Sequence, residues 1–472
     1  MFKHKGSIVK NIIGVTVGNI STIAAGIVVG FLLPKILPIE DYGWYKTFTL
    51  YMTYVGFFSL GIIDGIVLKY GGYDYDELDK AHFRSFFKWY LLVHVFFACC
   101  VNLISILLDD SNLRIILLFI SVNMIAVNMT GYFQQISQIT RRFKEYSLRK
   151  IIQSILNISV VAILYGAYRI HGKTGYMYYL FFLVTANVGL TIWYVYTYRE
   201  IVFGKSCSIV STKNDVLELC RTGFPLLFAN LCSTLILTLD RQFVSILFET
   251  TVYAKYAFAY NMLSLVTVAT SAMSTVLYPT LKRTTREMMR GNYSLLISMV
   301  SIIVFGALMA YFPLCLFVTW FLPKYEESLI IFRIVFPGLA LSSPITVIMH
   351  NFYKAEEKNL LYFKKSVVVL LVSAAANAVA YVIFHSTRAI SVASIITMVF
   401  WYFFVESYFY REYSCSGVKN AVYIATMMLA FYSVSAIDNY YIGFGTYAAA
   451  FMIVTIVMFK SSFKQIATVL RR

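Results

Sequence analysis

Residues 222–256 read TGFPLLFANLCSTLILTLDRQFVSILFETTVYAKY. The stretch opens an apolar run long enough to cross a bilayer, which takes about 20 residues. Inside that run stand Asp240 and Arg241. Charge at such a depth is costly and by default marks a functional site. The stretch also echoes the N-terminal region without gaps. Asn230 answers Asn19, Leu231 answers Ile20, Tyr253 answers Tyr42 and Tyr256 answers Tyr45, each 211 residues further on. An echo at constant offset indicates two related halves, the second starting near Thr222.

The 472-residue chain is 59% apolar and 13% charged, whereas soluble domains carry about 25% charged residues. An all-α polytopic membrane protein is the class that fits. The net charge of +17 raises the question of nucleic acid, and the placement of the charge answers it. With the N-terminus inside, 30 of the 40 Lys and Arg fall in cytoplasmic segments and nine in outside loops, with Arg241 the remaining one. That bias is an orientation signal, so no nucleic acid is expected. The basic start MFKHKGSIVKN leads into an apolar run too long for a cleaved signal and is read as the lead of the first span. The expected location is the cytoplasmic (inner) membrane, multi-pass, with both termini cytoplasmic. The seven cysteines, Cys415 among them, lie in or beside apolar segments without metal-ligand spacing and read as packed side chains.

Fourteen spans can be drawn, at about 11–34, 44–67, 86–108, 113–139, 151–168, 175–198, 223–248, 254–281, 294–322, 329–353, 365–385, 389–410, 420–437 and 441–459. The loops are too short for an extramembrane domain on either face. In the first span Gly14, Gly18, Thr22, Gly26 and Gly30 form a smooth stripe suited to close helix packing. Asn19 lies off that stripe and is a candidate for a polar cavity wall, with Asn230 as its echo.

Helix neighbours project about 100° apart, so Asp240 and Arg241 cannot neutralise each other on one face. At least one must meet another helix, a wet cavity or a ligand; a structural ion pair and a substrate contact are both open. Arg333 in the tenth span, and Lys46 and Lys255 beside the echoed tyrosines, are further cationic candidates, while Arg388 reads as an interface side chain. Asp64, near the inner end of the second span, is expected to cap or to pair with Lys69. Asp64, Asp240 and Glu406 are the carboxylates available for ion coupling. His94 and His350 stand alone and read as packed residues. Tyr176–Phe182 and Trp401–Phe404 read as interface belts, and the acid pairs Asp109–Asp110, Glu326–Glu327 and Glu356–Glu357 as solvated loops. No GK[ST] phosphate loop, HExxH or GxSxG occurs. No enzyme activity, cofactor or metal is expected.

Four stretches together carry a resemblance: LLPKILPIEDYGWYKTFTLYMTYVGFFSLGIIDG at 32–65, RRFKEYSLRKIIQSILNI at 141–158, LDRQFVSILFETTVYAKYAFAYNML at 239–263 and STVLYPTLKR at 274–283. In this order the chain resembles the polysaccharide-biosynthesis, O-antigen (Wzx-type) flippases of the multidrug and oligosaccharidyl-lipid exporter superfamily. The resemblance implies two pseudo-symmetric six-helix lobes, at 1–198 and 223–410, with a cytoplasmic linker at 199–222 and two further helices and a tail at 411–472. It implies a flippase that carries polyprenyl-diphosphate-linked oligosaccharide from the cytoplasmic to the outer leaflet of the cell envelope. A coupling proton or sodium ion and a polysaccharide polymerase are the partners it suggests. Arg241 is the residue that best carries over from the resemblance; it is expected to contact the diphosphate or its proximal sugar, with Lys46, Lys255 and Arg333 as weaker partners. A cation-coupled drug exporter of the same superfamily would need an acidic cavity, and a membrane polymerase or ligase would need a large outside loop.

Overall fold

Two helices of equal length open the two halves of the chain. α1 (Phe2–Ile36) and α8 (Lys213–Leu247) each hold 35 residues, and both bounds of α8 lie 211 positions beyond those of α1. The helices that follow, α2 (Ile39–Met52) and α9 (Thr250–Leu281), begin at the same offset. The echoed Tyr42 and Tyr253 thus each sit in the first turn after the break, and both are buried. The internal repeat is a repeat of helix boundaries as well as of side chains.

The computed structural model describes residues 2–172, 174–208, 211–281, 284–413 and 417–470. Cys415, Lys173, Lys282 and Arg283 lie outside the described residues, and the side chain of Gly14's neighbourhood is described only from Val17 onward. Every element among the described residues is helical. After α2 come α3 (Ile62–Tyr70), α4 (Lys80–Ile106), α5 (Ser111–Ile139), α6 (Phe143–His171) and α7 (Tyr176–Thr197). After α9 come α10 (Arg286–Ala307), α11 (Tyr311–Phe321), α12 (Ser328–Val335), α13 (Leu339–Ser343) and α14 (His350–Ala355). α15 (Asn359–Phe384), α16 (Thr387–Tyr413), α17 (Val418–Val434) and α18 (Tyr440–Leu470) complete the chain.

Helix occupies all fourteen expected intervals, but length and apolarity qualify eleven helices as spans among the described residues, or twelve if the bent α2–α3 pair is one. α17, at 17 residues, is too short to qualify. Fourteen crossings are therefore not established. Eleven such helices in one chain make this a multi-pass membrane protein.

Packing divides the chain into two units, Met1–Thr234 and Leu235–Arg472. The division falls inside α8 and not at the 199–222 linker, because the linker and the start of α8 are tied into the first unit. Arg84 on α4 donates to the carbonyls of Glu200 and Lys205, both at 2.7 Å. Lys88 donates to Ser206 at 2.7 Å, and Ser85 to the Cys207 carbonyl at 3.0 Å. Lys69 pairs with Glu218 at 3.0 Å, not with Asp64. The start of α8 then crosses α3 backbone to backbone. A Cβ on Gly65 would strike the Leu219 carbonyl, and one on Gly223 would strike the Gly61 carbonyl and the Gly65 nitrogen.

The glycine stripe of α1 packs as expected where Gly18 faces Ser147 of α6, at 3.2 Å from a notional Cβ, and where Thr22 meets Ser154 at 3.4 Å. Gly26 meets nothing within 4 Å. The aromatic clusters are only in part interfacial. Tyr178 and Phe181 are exposed, but Tyr176, Tyr179, Trp401 and Tyr402 are core residues of their units. Glu356 also departs from a solvated acid: it is 7% exposed and accepts from Tyr408 at 2.8 Å and Tyr413 at 2.6 Å, beside Arg286 at 3.5 Å. Glu356 thus finds its partners on helices far from it in sequence.

Adding a methyl group where two backbones touch costs about 1–3 kcal/mol. Gly223→Ala and Gly65→Ala are expected to lower the thermal unfolding temperature of the purified protein by several degrees. Gly166→Ala, where a Cβ meets nothing within 4 Å, is expected to leave it unchanged or raised. Equal melting of all three would refute the close crossing.

Candidate functional site

On α8, Asp240 and Arg241 diverge as adjacent helical residues must. Asp240 is 3% exposed and turns to α9. Tyr256 donates its hydroxyl to the Asp240 Oδ2 at 2.7 Å, and Tyr260, one turn further along α9, donates to the same oxygen. Ser391 of α16 donates to the Tyr256 hydroxyl at 3.3 Å. The carboxylate is thus held by phenol groups. Hydrogen bonds to a charged group contribute about 1.5–3 kcal/mol each, which offsets much of the cost of burying the carboxylate.

Arg241 is left without that carboxylate. Its Nη2 donates to the Leu237 carbonyl one turn back at 2.7 Å, and its guanidinium carbon lies 4.5 Å from the centre of the Tyr260 ring. Its Nε is buried without a hydrogen-bond partner, and among the described residues Arg241 forms no ion pair. Tyr260 therefore serves both charges, offering its hydroxyl to Asp240 and its face to Arg241. The π face holds a guanidinium in place while leaving its N–H edge available.

Arg241 borders a cavity of about 400 Å³ inside the second unit. Leu237, Arg241, Tyr260 and Ser264 form one wall; the opposite wall is an irregular helix. Between α12 and α14 the backbone passes through a 3-10 turn at Phe336–Gly338 and a π-helical segment at Pro344–Met349, and Ser342, Ser343 and Thr346 of this stretch line the cavity. Non-helical backbone at membrane depth is tolerated where it lines a cavity. Gly338 admits α16, since a Cβ there would lie 2.7 Å from Ile395 and 2.9 Å from Met398. One fixed cation facing several hydroxyls can bind an anionic, oxygen-rich group.

The other expected site residues are dispersed. Lys255 pairs with Glu327 at 2.8 Å, a partly exposed contact of small energetic value. Arg333 is half-buried on α12 and does not line the cavity that Val335 reaches. Lys46 lies 5.2 Å and 5.4 Å from the ring centres of Tyr42 and Tyr45. Asn19 accepts from Lys150 at 3.0 Å across the α1–α6 contact. Asn230 and Asp64 line a separate cavity in the first unit. Glu406 is 2% exposed and receives the Tyr402 hydroxyl at 3.4 Å. His94 and His350 are packed, against Tyr90 and Tyr362. Ser342, Ser343 and Thr346 went unnoticed in the sequence, where the two prolines at 337 and 344 were the available signal.

A family model described as "Polysaccharide biosynthesis protein" matches residues 8–285, well over half of the chain. The chain belongs to this family. Asp240, Arg241, Tyr256 and Tyr260 lie within the matched region, and the Ser342–Thr346 wall lies beyond it. No curated protein sequence matches the chain. Among solved structures, a lipid II flippase MurJ in an inward closed conformation superposes with a TM-score of 0.71 at 12% identity, covering 96% of this chain and 100% of that one. An inward-facing multidrug resistance MATE transporter of the MOP superfamily gives 0.66 at 12% identity, covering 84% and 94%. A MOP-superfamily transporter from Pyrococcus furiosus gives 0.57 at 12% identity, covering 86% and 95%. The chain therefore has the MurJ/MATE-like transporter fold.

Removing the two phenol hydroxyls leaves the Asp240 carboxylate buried without its donors. Tyr256→Phe/Tyr260→Phe is expected to melt well below the native protein, and adding Asp240→Asn to that double variant to restore part of the loss. A double variant that melts like the native protein would show that the tyrosines do not hold Asp240.

Proposed function

We propose that the protein is a flippase that carries a polyprenyl-diphosphate-linked oligosaccharide from the cytoplasmic to the outer leaflet by alternating access of its two halves. The observation that supports this most is Arg241, which lines a cavity and has no carboxylate partner among the described residues. A diphosphate carries two or more negative charges that cannot pass ~30 Å of hydrocarbon unaided. An arginine fork matches phosphate oxygens in bidentate fashion. The hydroxyls of Ser342 and Ser343 supply donors for the remaining phosphate or proximal sugar oxygens. Lys46, Lys255 and Arg333 act at most at a distance from that cavity. The solved transporters that share the fold include a lipid II flippase, and the family name points to polysaccharide.

The protein acts in this reading as a transporter and not as an enzyme, in the inner membrane with both termini cytoplasmic, energised by a proton or sodium ion and working beside a polysaccharide polymerase. A cationic drug as cargo is disfavoured by the same cavity, whose one charged side chain among the described residues is Arg241. Arg241→Ala is expected to reduce export of surface polysaccharide at least about tenfold at unchanged protein level, and Arg241→Lys to fall between, because lysine restores the charge without the fork. Full export by Arg241→Ala would remove the residue from the cargo site.

A further inference from the structure

The first unit holds a second polar cavity, of about 270 Å³, where the α2–α3 pair bends by 56°. Pockets for drug-sized ligands run from about 300 Å³ upward, so this one has room for a single ring and not for a chain. α3 restarts beside it with Asp64 in the first turn, where backbone N–H groups without helical partners favour a negative charge. The backbone contact of Gly61 and Gly65 with α8 brings that helix against this turn, and Asn230, further along α8, lines the same cavity.

Two glycines keep the space open. Gly56, in the 3-10 turn Val55–Ser59, and Gly131, inside α5, both line the cavity, and a Cβ on either would meet nothing within 4 Å. Neither has the positive φ that calls for glycine. Glycine inside a helix is destabilising relative to alanine. At Gly131 no close packing and no backbone strain accounts for it, and the volume it leaves free does.

The lining has one charge, and it is negative. Asp64 stands with the amides of Asn128, Gln135 and Asn230, and no Lys, Arg or His lines the cavity among the described residues. The Gln135 and Asn230 side chains have no hydrogen-bond partner among the described residues. An amide offers an acceptor and two donors side by side, and a carboxylate takes two O–H donors. Adjacent hydroxyls of a sugar ring, each both donor and acceptor, match that set. Phe57 and Ile63 add apolar surface for the C–H face of the ring. A phosphate or a second carboxylate finds no cation there and meets the charge of Asp64.

Resting on the reading of the cargo as glycan-bearing, we propose that this cavity receives one uncharged sugar ring and that Asp64 is the specificity residue that turns acidic sugars away. The Gln135 and Asn230 amides read the ring's hydroxyls. A site built to hydrogen-bond hydroxyls discriminates strongly, because a ligand lacking them leaves its polar groups unpaired. Repulsion of the wrong charge adds to that discrimination. The class of glycan that follows has a neutral sugar, not a uronic or sialic acid, at the position that enters this cavity.

The test measures binding of free glycosides to the purified full-length protein in detergent by saturation-transfer NMR. The probes are the methyl glycosides of glucose, galactose and N-acetylglucosamine, the methyl glycosides of glucuronic and galacturonic acid, and tetramethylammonium as a cationic control. Saturable binding of at least one neutral glycoside is expected, with both uronides at least about tenfold weaker than the best neutral probe. Asp64→Asn is expected to narrow that gap several-fold. Gly131→Leu, which fills the cavity, is expected to abolish binding while melting like the native protein, and Gly56→Leu fills it from the other wall if Gly131→Leu folds poorly. The probes carry no diphosphate, so a negative result here leaves the role of Arg241 standing, and loss of a diphosphate preference leaves this site standing. No saturable binding of any neutral glycoside, binding kept in the filled variants, an unchanged gap in Asp64→Asn, or tighter binding of tetramethylammonium than of any glycoside would overturn the proposal.

Discussion

The second unit depends on how one buried carboxylate is satisfied. Asp240 and Arg241 are adjacent in sequence and opposite in charge, and the simplest outcome would be mutual neutralisation. Helix geometry forbids it, and Tyr256 and Tyr260 take the place of the missing cation. Two phenol hydroxyls keep Asp240 buried without drawing Arg241 towards it. Because Tyr260 also presents its face to the guanidinium, the same ring fixes where the uncompensated positive charge points. A cationic edge at a hydroxyl-lined cavity is the consequence, and the proposed cargo follows from that edge.

Close helix crossings set the first unit. Gly61, Gly65 and Gly223 let α3 and α8 touch through backbone, and the linker before α8 is held to α4 by Arg84, Ser85 and Lys88. With the linker fastened in this way, α8 is a continuous 35-residue helix whose first turns belong to one unit and whose last turns belong to the other. Small residues serve membrane helices because packing, not water exclusion, drives their association.

Much of this was legible in the sequence. The 211-residue offset of the side chains extends in the structure to the helix ends, because a repeat preserves where prolines and polar turns stop a helix. Asp240 and Arg241 announced themselves by being charged in an apolar run. Their partners did not, although Tyr256 and Tyr260 stand four apart and so share one face of the next helix. The Lys255–Glu327 pair could not be read from the sequence, because the two residues lie 72 positions apart and only folding brings them together. Of the two roles open to Asp64, a place in the first turn of α3 agrees with the cap, whereas Lys69 reaches Glu218 on another helix. The Ser342–Thr346 wall escaped notice because hydroxyls in apolar helices commonly bond back to their own backbone, as Thr346 does to the Ser342 carbonyl at 2.9 Å.

The most direct measurement is the binding of a short-chain polyprenyl diphosphate, set against the uncharged polyprenol of equal length, to purified native protein and Arg241→Ala. A guanidinium kept available by Tyr260 predicts that the native protein prefers the diphosphate by about tenfold or more and that Arg241→Ala loses the preference. The same preference in both proteins would contradict the account.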